Sequence, residues 1–341
     1  MTAQPIARPV RIPAARDGHL RLQAGSAVRT AARTAALASA PTAAPAQART
    51  ATPLVPRVPN LLLAGVTHAD ASVLARDLGS HPDVCPASTR RIDHFTPLRY
   101  GRPVRAALQD YDAHFAAWRG QAYRLESSPV YFDGGPALVE AVRASCPGTQ
   151  VVLVLRDPAE RLWTSYADKV ARGRLPGAMT FDTFVDRCLA LRANGADGYE
   201  GNRYFRTLSS GFYAEHLRLW LAAFGSRAHV VFAEHLTDDR PAATAALLTR
   251  LGLDASRVAV APDAVAAADG APAPASARSW RNTLRRLTGR EAGAARPDGV
   301  VRPTERQLAR VAALYAEADG ELAALLRESG CTDLPGWLGG R

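Results

Sequence analysis

The chain has 341 residues, 47% of them hydrophobic, with a formal charge of +10 and a pI near 10.0. That length and apolar content suffice for a sizeable core, while no apolar run approaches the roughly 20 residues of a membrane-spanning helix. The charge points to anionic partners, but no helix-turn-helix, zinc-finger or RNA-binding signature accompanies it, so nucleic acid is not an expected partner.

Residues 1–56 are rich in Ala, Pro, Thr and Arg and contain no aromatic residue. Such a stretch cannot offset the entropy of ordering, and a disordered tail ahead of a domain at 57–341 is expected. Its start lacks the apolar centre of a secretory leader. The cysteines, Cys85, Cys146, Cys188 and Cys331, lie far apart without metal-ligand spacing and read as reduced thiols. Together these features give the expectation of a cytoplasmic protein without a metal site.

From there the pattern alternates. A buried strand is predicted at 60–65, a helix at 71–79, a helix at 104–118 and a strand at 122–126. A helix at 136–145 leads to a strand at 150–155, then helices at 158–172, 181–193 and 211–224, a strand at 229–233 and a helix at 241–251. An Ala/Pro/Gly/Ser stretch at 262–279 reads as a mobile loop, and 304–328 as a last helix. Strands separated by helices imply an α/β three-layer sandwich with a central parallel sheet, which places ligands at the carboxyl ends of its strands.

Two of those strand ends carry chemistry. The turn Gly65-Val66-Thr67-His68-Ala69-Asp70-Ala71-Ser72 joins a strand to a helix, where backbone N–H groups converge on an anion, although it has one glycine and no lysine. In VVLVLRDPAERLWTSYADKVARG (151–173), a strand ends in Arg156, Asp157 is placed to cap a helix beginning at Pro158, and Thr164 and Ser165 follow. A guanidinium offers a planar fork of donors to a phosphate, and a hydroxyl adds a neutral one. Lys169, one turn after Ser165, is the only lysine among the 42 basic residues.

The second of these segments resembles the 3′-phosphate-binding motif of sulfotransferases that use 3′-phosphoadenosine 5′-phosphosulfate. The likeness continues in PNLLLAGVTHADASVLARDLGSHPDV (59–84), which is similar to the family's first strand, 5′-phosphosulfate loop and helix. LESSPVYF (125–132) and SSGFYAEHLRLWLAAFGSRAHVVFAEHLTDD (209–239) resemble further family segments. The resemblance implies the P-loop NTPase-like sulfotransferase fold. It places Arg156 and Thr164, with Ser165 as neighbour, on the 3′-phosphate, and Gly65, Thr67, His68 and Ser72 on the 5′-phosphosulfate. Gly211 and Tyr213 match a Gly-x-Tyr stretch, and Tyr213 is either a nucleotide contact or core; Trp163 and Trp220 are assigned to the core.

Departures from the family pattern matter as much. His68 stands where the family's loop lysine bridges the phosphosulfate, and a protonated imidazole is its expected substitute. Asp70 opposes an anion unless it caps the helix. Lys169, Arg90, Arg91, Arg278, Arg281, Arg285 and Arg286 are other sources of positive charge. Arg90-Arg91 replaces the usual Lys-Glu, so the catalytic base is expected to be His94, with Asp93 as orienter or rival and Glu126 as a third candidate. The implied activity is transfer of a sulfuryl group to a hydroxyl or amine of a carbohydrate, lipid or small natural product. A non-catalytic binding module and a P-loop-type kinase are the alternatives; the chain has no G-x-x-x-x-G-K-[ST].

Overall fold

The structure is a computed structural model and describes residues 57–176, 178–258 and 302–339. The expected tail at 1–56, the loop at 262–279 and Arg278, Arg281, Arg285 and Arg286 lie outside the described residues.

Strands Leu61–Gly65 (β1), Val84–Pro86 (β2), Tyr123–Ser127 (β3), Gln150–Leu155 (β4) and Ala228–Phe232 (β5) form one sheet in the order β2-β3-β1-β4-β5. Every pairing is parallel. β1 is buried throughout and β4 from Val151 onward, which fits their near-continuous Leu and Val content, because a parallel sheet is covered on both faces. β1 lies at the centre, with Leu62 opposite Glu126 on one side and Val151 on the other. The carboxyl ends of β1, β3 and β4 therefore open side by side.

Helices Ala71–Gly79 (α1), Tyr111–His114 (α2), Pro136–Ser145 (α3), Pro158–Ala171 (α4), Phe181–Ala193 (α5) and Tyr213–Phe224 (α6) follow, then Ala233–Asp238 (α7), Arg240–Arg250 (α8) and Glu305–Glu328 (α9). Most match their expected bounds within two residues. The exception is 104–118, where a single 3₁₀ turn at Leu108–Asp110 and the short α2 replace the predicted helix. Only Tyr111 and Phe115 of that stretch are fully buried, with Val104, Leu108 and Trp118 partly buried against the core, so burial supports little more than one turn. β2 and α7 were not expected; three and six residues are too few to display a period.

Capping follows the sequence. The Asp157 carboxylate accepts from the N–H groups of Ala159 and Glu160, with Pro158 in the first turn of α4. Thr304 and Gln307 cap α9 reciprocally. One apolar core surrounds the sheet, and a second, holding Leu162, Trp163, Phe184 and Cys188, lies between α4 and α5. α9 ties them together, with Val311 and Tyr315 in the second core and Leu322 and Leu326 in the first. Among the described residues no helix is long and apolar enough to cross a membrane, and the four cysteines are free.

Gly65 ends β1 against Phe132, whose own Cβ lies 2.4 Å from where a Cβ on residue 65 would sit. Because the obstacle is the root of the Phe132 side chain, Gly65→Ala should lower stability by about 1–3 kcal/mol, measured by urea denaturation.

Candidate active site

The turn after β1 and the start of α4 after β4 meet at the carboxyl edge of the sheet. Arg156, buried at the end of β4, donates from Nη1 to the carbonyl of His68 at 3.3 Å. The Tyr213 hydroxyl in turn donates to the Arg156 carbonyl at 2.8 Å. Tyr213 is thus a core residue that positions Arg156. Of the acidic residues near Arg156, Asp157 caps α4 and Glu160 pairs with Arg302 at 3.4 Å, while Glu234, which accepts from the Asp157 N–H at 2.9 Å, lies within its field.

The two helix N-termini at this edge differ. That of α4 is closed by its own aspartate. At α1 the cap residue Asp70 is left-handed, with φ 55°, and its side chain makes no capping hydrogen bond to the helix. Val73 and Leu74 donate to the Asp70 carbonyl, so the N–H groups of Ala71 and Ser72 are the ones this helix start can offer an oxyanion. Gly65 and Thr67 lead into this turn, and Ser72 is exposed on it.

Charge comes from the face of α4 turned inward. Arg161, Ser165 and Lys169 recur at four-residue intervals on that face and are all buried. Lys169 Nζ donates to Ser165 Oγ and to Thr207 Oγ1, and the two hydroxyls lie 3.1 Å apart. Arg161 donates from Nη2 to the Thr207 carbonyl at 2.7 Å, while its Nε and Nη1 have no hydrogen-bond partner. Burial lowers the Lys169 pKa to about 7.

These positions revise several expectations. His68 is half-buried, and its pKa lies well below the ordinary 6.5, first through desolvation and then through the positive fields of Lys169, Arg161, Arg156 and Arg172. In the ligand-free chain the imidazole is therefore held toward its neutral form. Ser165 is turned inward onto Lys169 and Thr207, and the Thr164 hydroxyl donates to the Glu160 carbonyl at 2.9 Å. Lys169 is an interior group. Arg90 and Arg91 are exposed, with Arg91 3.2 Å from Asp93. Trp163 and Trp220 are core, as expected.

Near the end of β3 the proposed bases gather. The Asp93 backbone N–H donates to Ser128 Oγ at 3.1 Å, and Ser128 Oγ donates to Glu126 at 2.7 Å. Asp93 has φ 54°, an uncommon conformation for a residue with a side chain, and its carboxylate is partly exposed. His94 packs between Phe95 and Tyr111, with ring centroids 4.7 and 4.8 Å away, and desolvation lowers its pKa. Glu126 is fully buried and accepts from Tyr111, Ser128 and Tyr131, an internal hydrogen-bond centre without access to an acceptor. Arg161, Thr207 and the two tyrosines were not anticipated; the Arg-x-x-x-Ser-x-x-x-Lys spacing within an otherwise apolar helix face was the available signal.

No family model matches the chain. A solved sulfotransferase from Alicyclobacillus acidocaldarius superposes with a TM-score of 0.61 at 19% identity, covering 82% of this chain and 98% of that one. The chain has the sulfotransferase fold. In sequence it is 28% identical over 185 residues to human heparan sulfate glucosamine 3-O-sulfotransferase 6, covering 54% of this chain and 49% of the relative. It is also 28% identical over 193 residues to the human bifunctional heparan sulfate N-deacetylase/N-sulfotransferase 1, 54% of this chain and 21% of that protein. The chain is a divergent relative of the sulfotransferases, and it spans about half the length of the first of these relatives and a fifth of the second.

Burial raises the Glu126 pKa from 4.5 to about 6. Between those values the folded chain holds a proton that the unfolded chain has released, so stability falls as pH rises through this window, by roughly 2 kcal/mol. In Glu126→Gln that component should vanish, which chemical denaturation at pH 4.5 and 7 will show.

Proposed function

We propose that the chain is a sulfotransferase that moves a sulfuryl group from 3′-phosphoadenosine 5′-phosphosulfate to a hydroxyl or amine of a carbohydrate or small-molecule acceptor. The observation that carries this reading is the meeting of the two segments that resemble the family's phosphate-binding motifs, through the Arg156–His68 hydrogen bond, at a helix start without a side-chain cap. Its relatives' sulfotransferase names support the same reaction.

In the reaction the acceptor oxygen or nitrogen attacks sulfur, the sulfur–oxygen bond to the phosphate breaks, and adenosine 3′,5′-bisphosphate leaves. Both its phosphates are anionic. Arg156 is assigned to the 3′-phosphate, with Thr164 able to contribute its hydroxyl only by leaving the Glu160 carbonyl. The N–H groups of the α1 start are assigned to the 5′ side, where negative charge builds on the leaving oxygen.

The proton of the acceptor needs a base. Asp93 is the better placed of the two neighbours, because its carboxylate is partly exposed and lies 3.2 Å from the Arg91 guanidinium, whereas His94 is enclosed by aromatic rings. His94 then acts by packing the segment that presents Asp93.

Two outcomes are expected with radiolabelled donor and a panel of glycan and phenolic acceptors. Arg156→Ala should weaken adenosine 3′,5′-bisphosphate binding by about tenfold or more, as loss of a charge-assisted phosphate contact does. Asp93→Asn should leave that binding intact and reduce transfer by about 10²–10⁴-fold. Failure of the wild-type protein to bind the bisphosphate in calorimetry would contradict the enzyme reading.

A further inference from the structure

The turn has no lysine and the His68 imidazole is held toward its neutral form, yet basic side chains lie around it. Desolvation is the main cause that depresses the His68 imidazole, and of the four cations that add to it the first two, Lys169 and Arg161, come from the inward face of α4. Their hydrogen-bond partners are the hydroxyls of Ser165 and Thr207 and one carbonyl, with no carboxylate among them. Arg161 is fully buried and leaves Nε and Nη1 without acceptors. A buried guanidinium with unused donors is costly, and an oxyanion is the ligand that satisfies it.

We propose that Arg161 and Lys169, with the hydroxyls of Ser165 and Thr207, form an oxyanion subsite on the inward face of α4 that takes the 5′-phosphate side of the nucleotide. The positive charge that the turn lacks is thereby supplied from α4. The identity of the anion rests on the sulfotransferase reading; the existence of the subsite rests on the unpaired buried cations. Arg156 is left to the 3′-phosphate, so the two phosphates are held by different cations.

Ligands bearing one phosphate or both separate the roles. Calorimetry with adenosine 3′,5′-bisphosphate and adenosine 3′-monophosphate should show Lys169→Met and Arg161→Gln weakening the bisphosphate by about tenfold or more while changing the monophosphate by less than about twofold. Arg161→Lys, which keeps the charge, should recover part of the loss.

Bisphosphate binding at pH 8 should also take up a proton in the wild type, read from buffers of differing ionisation enthalpy, and less in Lys169→Met. The groups facing Lys169 are Arg161, Ser165 and Asp168 on its own helix, Cys188 on α5, and Thr207, Arg99 and His68 from the loops. Of these, burial raises the Cys188 thiol pKa to about 12, so the thiol is neutral at pH 8.

Equal weakening of both nucleotides, or of neither, would overturn the assignment. If Arg161→Gln does not fold, Lys169→Met, which removes a buried charge, carries the comparison. If the wild type binds neither nucleotide, the sulfotransferase reading fails and the subsite is judged by sulfate alone. A sulfate-dependent rise in Tm that Lys169→Met abolishes supports it, and an equal rise in both proteins rejects it.

Discussion

The interior of this protein holds two basic side chains, Arg161 and Lys169, on one face of one helix, hydrogen-bonded to hydroxyls and a carbonyl and set against the rings of Tyr213 and Phe184. Burying charge without a counter-charge works against folding, and what remains of stability must come from the surrounding packing of α5, α6 and α9. Tyr213 and Tyr315 show how that packing is organised. Their rings bury in the core next to Arg161, and each hydroxyl finishes on a backbone carbonyl, of Arg156 and of Leu208 respectively. The same contacts that tolerate the charge thus set the position of the strand-end arginine.

Two buried carboxylates illustrate how environment decides ionisation. Asp133 lies between Arg99 and Arg206 and accepts from Ser210, and despite its burial the arginines hold it well below the ordinary carboxylate range. Glu126 meets only neutral donors, so desolvation prevails and its pKa rises. Asp133 fastens the segment after β3 to the loop before α6, and Glu126 fastens the same segment to α2. One carboxylate acts as an ionic clamp and the other as a hydrogen-bond hub, which chain order alone does not distinguish.

Much of the fold was legible because its strands and long helices repeat apolar residues at their own periods. β1, β4 and α4 fall where the Leu61–Gly65 and Val151–Ala171 patterns place them, and Asp157-Pro158 marks the helix start correctly. β2 and α7 escaped because each is too short for a period, and 104–118 misled because its apolar spacing is served by only two buried rings. Within the site, Arg156 was readable from a strand-end arginine before a capped helix. The charge state of His68 and the inward turn of Ser165 were not, since both depend on which side chains from other elements crowd around them, and those contacts join residues as distant as Lys169 and Thr207.

The close approach of Gly65 to Phe132 ties the two halves of the site into one solid piece. Phe132 belongs to the segment after β3 that is also anchored by Tyr131 to Phe95 and by its own carbonyl to Trp220. A shift of that segment would push directly on the end of β1 and hence on the 65–72 turn. Sequence change is therefore expected to accumulate in the outer stretch at 102–107, where most side chains are exposed and change without moving the floor they stand on.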